Sequence, residues 1–268
     1  MHRRQLLLGS AAMLAAAACE TLPIEAGGEL DVVVRGGTVY DGTGVEGRRA
    51  DVGIAGDRIV AVGDLSGARA ASVVDARGLA VAPGFINMLS WANESLLHDG
   101  LSQSDIRQGV TLEVMGEGMS MGPLTPAMTR NLIKQQSGIT FDVSWTTLGQ
   151  YLELLEKRGA STNVASFVGA ATIRIHELGY NNRKAKPAEL ARMQDLVRAA
   201  MREGALGVGS SLIYAPGSFA DTEELVALTA AAHEYGGGYI SHIRSEADRF
   251  LEAIDELVEI GRRTGAPV

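Results

Sequence analysis

From about Ala82 to the last residue, short strand-like runs alternate with helical stretches, and that order admits few folds. "AVAPGFI" ends at Ile86; "TLEVM" (Thr111–Met115), "NVASFVGA" (Asn163–Ala170), "LGVGSS" (Leu206–Ser211) and "GYISH" (Gly238–His242) follow as short buried-strand candidates. Helical patterns run between them. In "PAELARMQDLVRAAMREG", Pro187 suits a first helical turn and Gly204 a C-terminal stop. Leu190, Met193, Leu196, Val197 and Ala200 recur at spacings of three and four, so they share one face. "TEELVALTAAAHEYGG" and "SEADRFLEAIDELVEIGRRTG" behave likewise, the second with Phe250, Ile254, Leu257 and Val258 as its stripe. Strand, helix, strand, helix demands parallel pairing through crossover helices.

The expected class is therefore α/β: a partial (β/α)8 barrel over residues 82–268, with about five βα units present. A complete barrel takes about 250 residues, whereas about 190 follow the flank. Five parallel strands alone leave two long unpaired edges, and Ala266-Pro267-Val268 reads as the first residues of a sixth strand. The expectation is the N-terminal part of a longer protein, inactive as a 268-residue piece. Residues 30–81 read as a small β-sandwich-like domain, with "GD" at Gly56-Asp57 as a hairpin signal.

The first 19 residues carry a different message. "MHRRQLLLGSAAMLAAAACE" has a basic start, an apolar run from Leu6 to Ala18 and small residues ending at a cysteine. That is a secretory signal, too short in its apolar part to span a bilayer comfortably. Arg3-Arg4 resembles a twin-arginine export signal and "AAAC" a lipoprotein box. The chain is expected to be exported to the periplasm, with residues 1–19 removed or with Cys19 lipidated on the outer membrane, and residues 20–29 as a linker. Cys19 is the one cysteine, so disulfides contribute nothing. The net charge of −8, with no Lys/Arg cluster in the body, argues against nucleic acid and against an anionic membrane surface as partners. A small-molecule substrate fits better.

In barrels of this kind the reactive groups stand at the C-terminal ends of strands. Those ends are Asn87–Ala92, Gly116-Glu117-Gly118, Ala170-Ala171, Ser210-Ser211 and Ser241-His242. Together with "APGFIN", "QGVTLEVMGEG", "GALGVGSSLIYAPGSFADTEELVAL" and "GGGYISHIRSEADRFLEAIDELVEIGRRTGAPV", they make the chain resemble the amidohydrolase superfamily, and within it the D-aminoacylases. The colinear similarity runs from about Leu30 to Val268.

That resemblance implies a β-sandwich plus a metal-bearing barrel that hydrolyses the C–N bond of N-acyl-D-amino acids or related linear amides. It implies metal ligands from His-x-His after strand one, Cys after strand two, and His after strands five and six, with an Asp after strand eight. Carried over, the strand-five ligand falls on His242, and Glu117 stands at or beside the Cys position. The His-x-His positions hold Leu89 and Trp91, and the strand-six and strand-eight ligands would lie past Val268. The resemblance also implies a histidine after strand three, where this chain has Gly169-Ala170-Ala171. Zinc accepts carboxylate and imidazole donors together, so one divalent ion on Glu117 and His242 is expected rather than two. Trp91 is expected to fill the volume left by the second ion.

Each residue also has a plainer reading. Glu117 could cap the following turn, and His242 could be a satisfied core histidine. Arg244 could bind a substrate carboxylate or pair with Glu246; Tyr214 could line the pocket or pack on Pro216. The alternative to a hydrolase is a catalytically degenerate, lipid-anchored ligand-binding protein on the same barrel.

Overall fold

The computed structural model describes residues 30–268. The signal, lipobox and linker readings therefore fall outside the described residues. The chain divides into two compact units between Pro83 and Gly84.

The first unit is one mixed sheet of five strands: β1 (Leu30–Val39), β2 (Arg48–Ala55), β3 (Arg58–Gly63), β4 (Ala70–Asp75) and β5 (Ala80–Val81). Their order is β3-β2-β1-β4, with β5 on β1 as well. β2 and β3 form an antiparallel hairpin closed at Gly56-Asp57, where Gly56 has φ +58°. Leu30, Val33 and Leu65 make its small core. The buried Asp51 carboxylate ties the sheet to its loops, accepting from the Gly36 N–H (2.7 Å) and the Leu65 N–H (3.1 Å). Among the described residues this unit is a single layer, one side of the sandwich-like domain that the sequence leads one to expect. β4 and β5 pair in parallel with successive stretches of β1, so the strands that would start a second layer extend the first instead.

The second unit is built on parallel strands: β6 (Phe85–Asn87), β7 (Val110–Met115), β8 (Asn163–Ser166), β9 (Val168–Gly169), β10 (Gly207–Ser211) and β11 (Gly238–His242). They pair as β6-β7-β8 and β9-β10-β11. Only Phe167 separates β8 from β9, so one bent segment serves both sheets and plays the part of a third barrel strand. The result is five parallel strand positions in the expected order, without a closed barrel among the described residues. The parallel ladder goes on past β11, where the Tyr239 N–H donates to the Pro267 oxygen (2.8 Å).

Helices α1 (Ser95–His98), α2 (Gln103–Ile106), α3 (Pro126–Gln135), α4 (Leu148–Arg158), α5 (Ala170–Leu178), α6 (Pro187–Arg202), α7 (Thr222–His233) and α8 (Phe250–Thr264) fill the connections. α6 begins at Pro187 as the sequence predicts, and Met193, Val197 and Ala200 are its fully buried positions. On α8 the buried positions are Ala253 and Ile260, while Phe250 and Val258 stay exposed. The core is continuous: Met115, Val168, Val208 and Tyr239 on the strands pack under Ile173, Val197, Leu225, Leu228 and Ile260. Among the described residues no helix is long and apolar enough to cross a membrane.

One buried ion pair sits outside this apolar mass. Arg174 on α5 and Glu224 on α7 meet at 2.5 Å with both side chains almost wholly buried. Arg174 also donates to the carbonyls of Asn181 and Arg183, so it staples the α5–α6 loop to the first turn of α7.

Candidate metal and substrate site

The strand-two turn is held by close backbone packing. Gly116 and Gly118 have φ of +96° and +74°, a region that side chains other than glycine rarely enter. A Cβ on Gly116 would collide with the Phe167 oxygen, and one on Gly118 would lie 2.5 Å from the Ser211 Cβ. The Ala171 N–H, in the first turn of α5, donates to the Gly118 oxygen at 2.9 Å. Small residues at Gly169-Ala170-Ala171, where the resemblance places a family histidine, let the turn settle onto that helix start. Glu117 is thus presented on a rigid hinge rather than on a loose loop.

His242 ends β11. Its Nδ1 lies 3.9 Å from the Glu117 Oε1, with both side chains largely buried. That separation is too long for a hydrogen bond and somewhat wider than the roughly 3.3 Å between two donors that each sit about 2 Å from a tetrahedral zinc, so the pair would draw together on binding one. The Nε2 edge faces the Glu246 carboxylate at 3.4 Å but is buried without a hydrogen-bond partner. The Tyr214 ring stands edge-on to the imidazole, 5.3 Å between centroids at 88°. Burial pushes the Glu117 carboxyl above the usual carboxylate range; His242 opposes this and Glu246 adds to it. A carboxylate that is costly to ionise alone thus faces the Nδ1 edge of an imidazole, the donor pair a divalent ion would share, while the buried nitrogen without a partner, Nε2, points toward Glu246 instead. Among the described residues no third His, Cys, Asp or Glu completes a metal cluster; Glu246 faces the opposite ring nitrogen.

The chain resembles solved enzymes in both sequence and structure. No family model matches it. Over 242 residues, 89% of the chain, it is 37% identical to the D-aminoacylase of Alcaligenes xylosoxydans xylosoxydans, of which it covers 49%. It superposes with a TM-score of 0.79 and 36% identity on a D-aminoacylase structure concerned with a binuclear metal centre, covering 89% of this chain and 50% of that one. The chain belongs to the D-aminoacylase type of the amidohydrolase superfamily. It is also similar to an N-acyl-D-glutamate deacylase of Bordetella bronchiseptica, solved with zinc and a phosphonate mimic of the tetrahedral intermediate (TM-score 0.76, 33% identity, 89% and 50% covered). The chain spans about half the length of the relatives it matches.

Within this D-aminoacylase-type chain, the other positions expected at the site sort clearly. Tyr214 stands there, against His242. Arg244 does not: four of its five N–H donors are committed, two to Glu256 (2.9 Å each) and one each to the Ser218 (3.1 Å) and Ala220 (2.9 Å) carbonyls. The guanidinium is a clamp between β11 and α8, and its acidic partner is Glu256 rather than Glu246. Trp91 is 62% exposed among the described residues. It borders a separate hollow of about 290 Å³ with Met119, Met121 and Tyr180. Leu89 is likewise exposed.

Sequence reasoning passed over Glu113. Its buried carboxylate accepts from the hydroxyls of Ser90, Ser102 (2.8 Å) and Thr162 (3.3 Å), bolting the loops after β6 and α1 to β7. The available signal was a charged residue in the middle of the apolar run "TLEVM".

Proposed function

We propose that Glu117 and His242 belong to the active site of a hydrolase that cleaves N-acyl-D-amino acids with one bound divalent ion, zinc by its donor set. The apposition of a buried carboxylate and a buried imidazole at 3.9 Å carries this reading. The D-aminoacylase and N-acyl-D-glutamate deacylase relatives support the substrate class. An ion held by Glu117 and His242 would supply a water of lowered pKa and a Lewis acid for the amide carbonyl. The chain's own residues hold and orient: the 116–118 hinge fixes Glu117, the end of β11 fixes His242, and Tyr214 walls the imidazole. Leu89 and Trp91 offer no donor for a second ion, which favours one over two. In the net reaction water adds across the amide: its oxygen bonds to the carbonyl carbon, the C–N bond breaks and the amine nitrogen takes a proton. The full-length protein is expected to carry about one tightly held divalent ion and to release amino acid from N-acetyl-D- but not N-acetyl-L-substrates. Metal-free protein that binds such compounds without cleaving them would overturn the assignment.

We also infer that the mature protein works outside the cytoplasm, on the strength of Arg3-Arg4, the apolar run and Cys19. Labelled palmitate is expected to enter the wild type and not Cys19→Ser; equal labelling defeats the anchor.

A further inference from the structure

Ser211 closes β10 directly beside His242. The two are register partners on adjacent parallel strands, and the Leu212 N–H donates to the His242 oxygen at 2.8 Å. Register partners project to the same side of a sheet, so the Ser211 side chain shares the His242 face. Its neighbour Ser210 faces the other way, into a hydroxyl cluster with Tyr239 (2.6 Å) and Ser241 (2.9 Å). On the Glu117 side, Ser211 packs against Gly118 so closely that any Cβ there would meet its own Cβ. Gly209, two residues earlier, lies under the same hinge: a Cβ on it would collide with the Gly116 oxygen and fall 3.2 Å from the Glu117 Cα. Ser211 therefore sits between the Glu117 hinge and the His242 strand end.

Its residue is only 8% exposed, and its Oγ is buried with no hydrogen-bond partner among the described residues. A hydroxyl buried without a partner destabilises the fold. Ser210, one position away, shows that this strand end satisfies hydroxyls where they are structural. We propose that Ser211 is a catalytic donor of this site, its O–H aimed at the carbonyl oxygen of a bound amide and hydrogen-bonded to it most strongly when water addition turns that oxygen into an oxyanion. The proposal rests on the deacylase reading above. A preplaced donor that meets charge as it develops stabilises the transition state more than the substrate.

The test uses full-length, metal-loaded protein with Ser211→Ala and Ser211→Cys, the second close to serine in volume but a poor donor. The probe is a phosphonate analogue of an N-acetyl-D-amino acid, measured beside the planar substrate. Both variants are expected to bind the phosphonate about 100-fold more weakly and to lose kcat by a similar factor. KM and metal content should stay near wild type, and Ser211→Ala should melt no lower than wild type. Wild-type phosphonate affinity in Ser211→Ala, or a normal Ser211→Cys beside an impaired Ser211→Ala, overturns the donor role and leaves the deacylase reading intact. A wild type that neither cleaves the substrate nor binds the phosphonate overturns both.

Discussion

Glu117→Ala and His242→Ala will each yield a folded protein that has lost its divalent ion and more than about 1,000-fold in kcat/KM, equivalent to roughly 4 kcal/mol of transition-state stabilisation. The expectation follows from how little the pair does for the fold. Glu117 makes no side-chain hydrogen bond to hold its hinge together; that work falls to Ala171, Phe167 and the glycine contacts. Burial without a cation raises the cost of its charge, so the metal-free Glu117→Ala variant should melt no lower than metal-free wild type. His242 similarly leaves one buried nitrogen without a partner. Groups that are strained in the empty site and satisfied by a ligand mark function rather than stability. Atomic emission on the purified variants, thermal melts and turnover decide the matter; unchanged turnover in either variant sinks the metal assignment.

Arg174→Met will be the most damaging single change to stability, costing about 3–5 kcal/mol. Removing the guanidinium strands the Glu224 carboxylate, which is already raised by burial with only Arg174 to oppose it strongly. It also frees the Asn181 and Arg183 carbonyls that pin the α5–α6 loop. For a chain of this size that loss lowers the melting temperature by roughly 10 °C. The double variant Arg174→Met/Glu224→Leu should recover most of it, because replacing both charges removes the desolvation cost along with the attraction. A single variant melting within about 2 °C of wild type would show that water reaches the pair and the burial argument is wrong.

Much of the barrel half was legible because it is written in local periodicity. α6 runs from Pro187 with its Met193, Val197 and Ala200 face inward, and five parallel strand positions occur in the order expected. The C-terminal strand ends also led to Glu117 and His242, which do converge. Of the two readings for Arg244, the Glu246 ion pair failed for a definable reason. The stretch from Ser245 looked helical throughout, which would place Glu246 near Arg244 on one element. In the structure α8 starts only at Phe250, so Glu246 stays in the loop and turns back toward His242, while Glu256 on the helix reaches Arg244. The unpaired Ser211 hydroxyl was not legible, since a satisfied and an unsatisfied serine look alike in a strand. Glu113 was legible only as an anomaly, because its three hydroxyl partners come from three separate segments.

By itself the sequence determined five strand positions and the helices α6, α7 and most of α8, that the strands run parallel, and which residue types stand at their ends; these follow from spacing within a few residues. Only the tertiary structure decided which of those ends meet. Glu117 and His242 are brought together by the Ser211–His242 register and by glycine contacts at 116, 118 and 209 that let one turn rest on another strand. Such contacts join positions far apart along the chain, where no periodicity reaches and packing alone selects the partner.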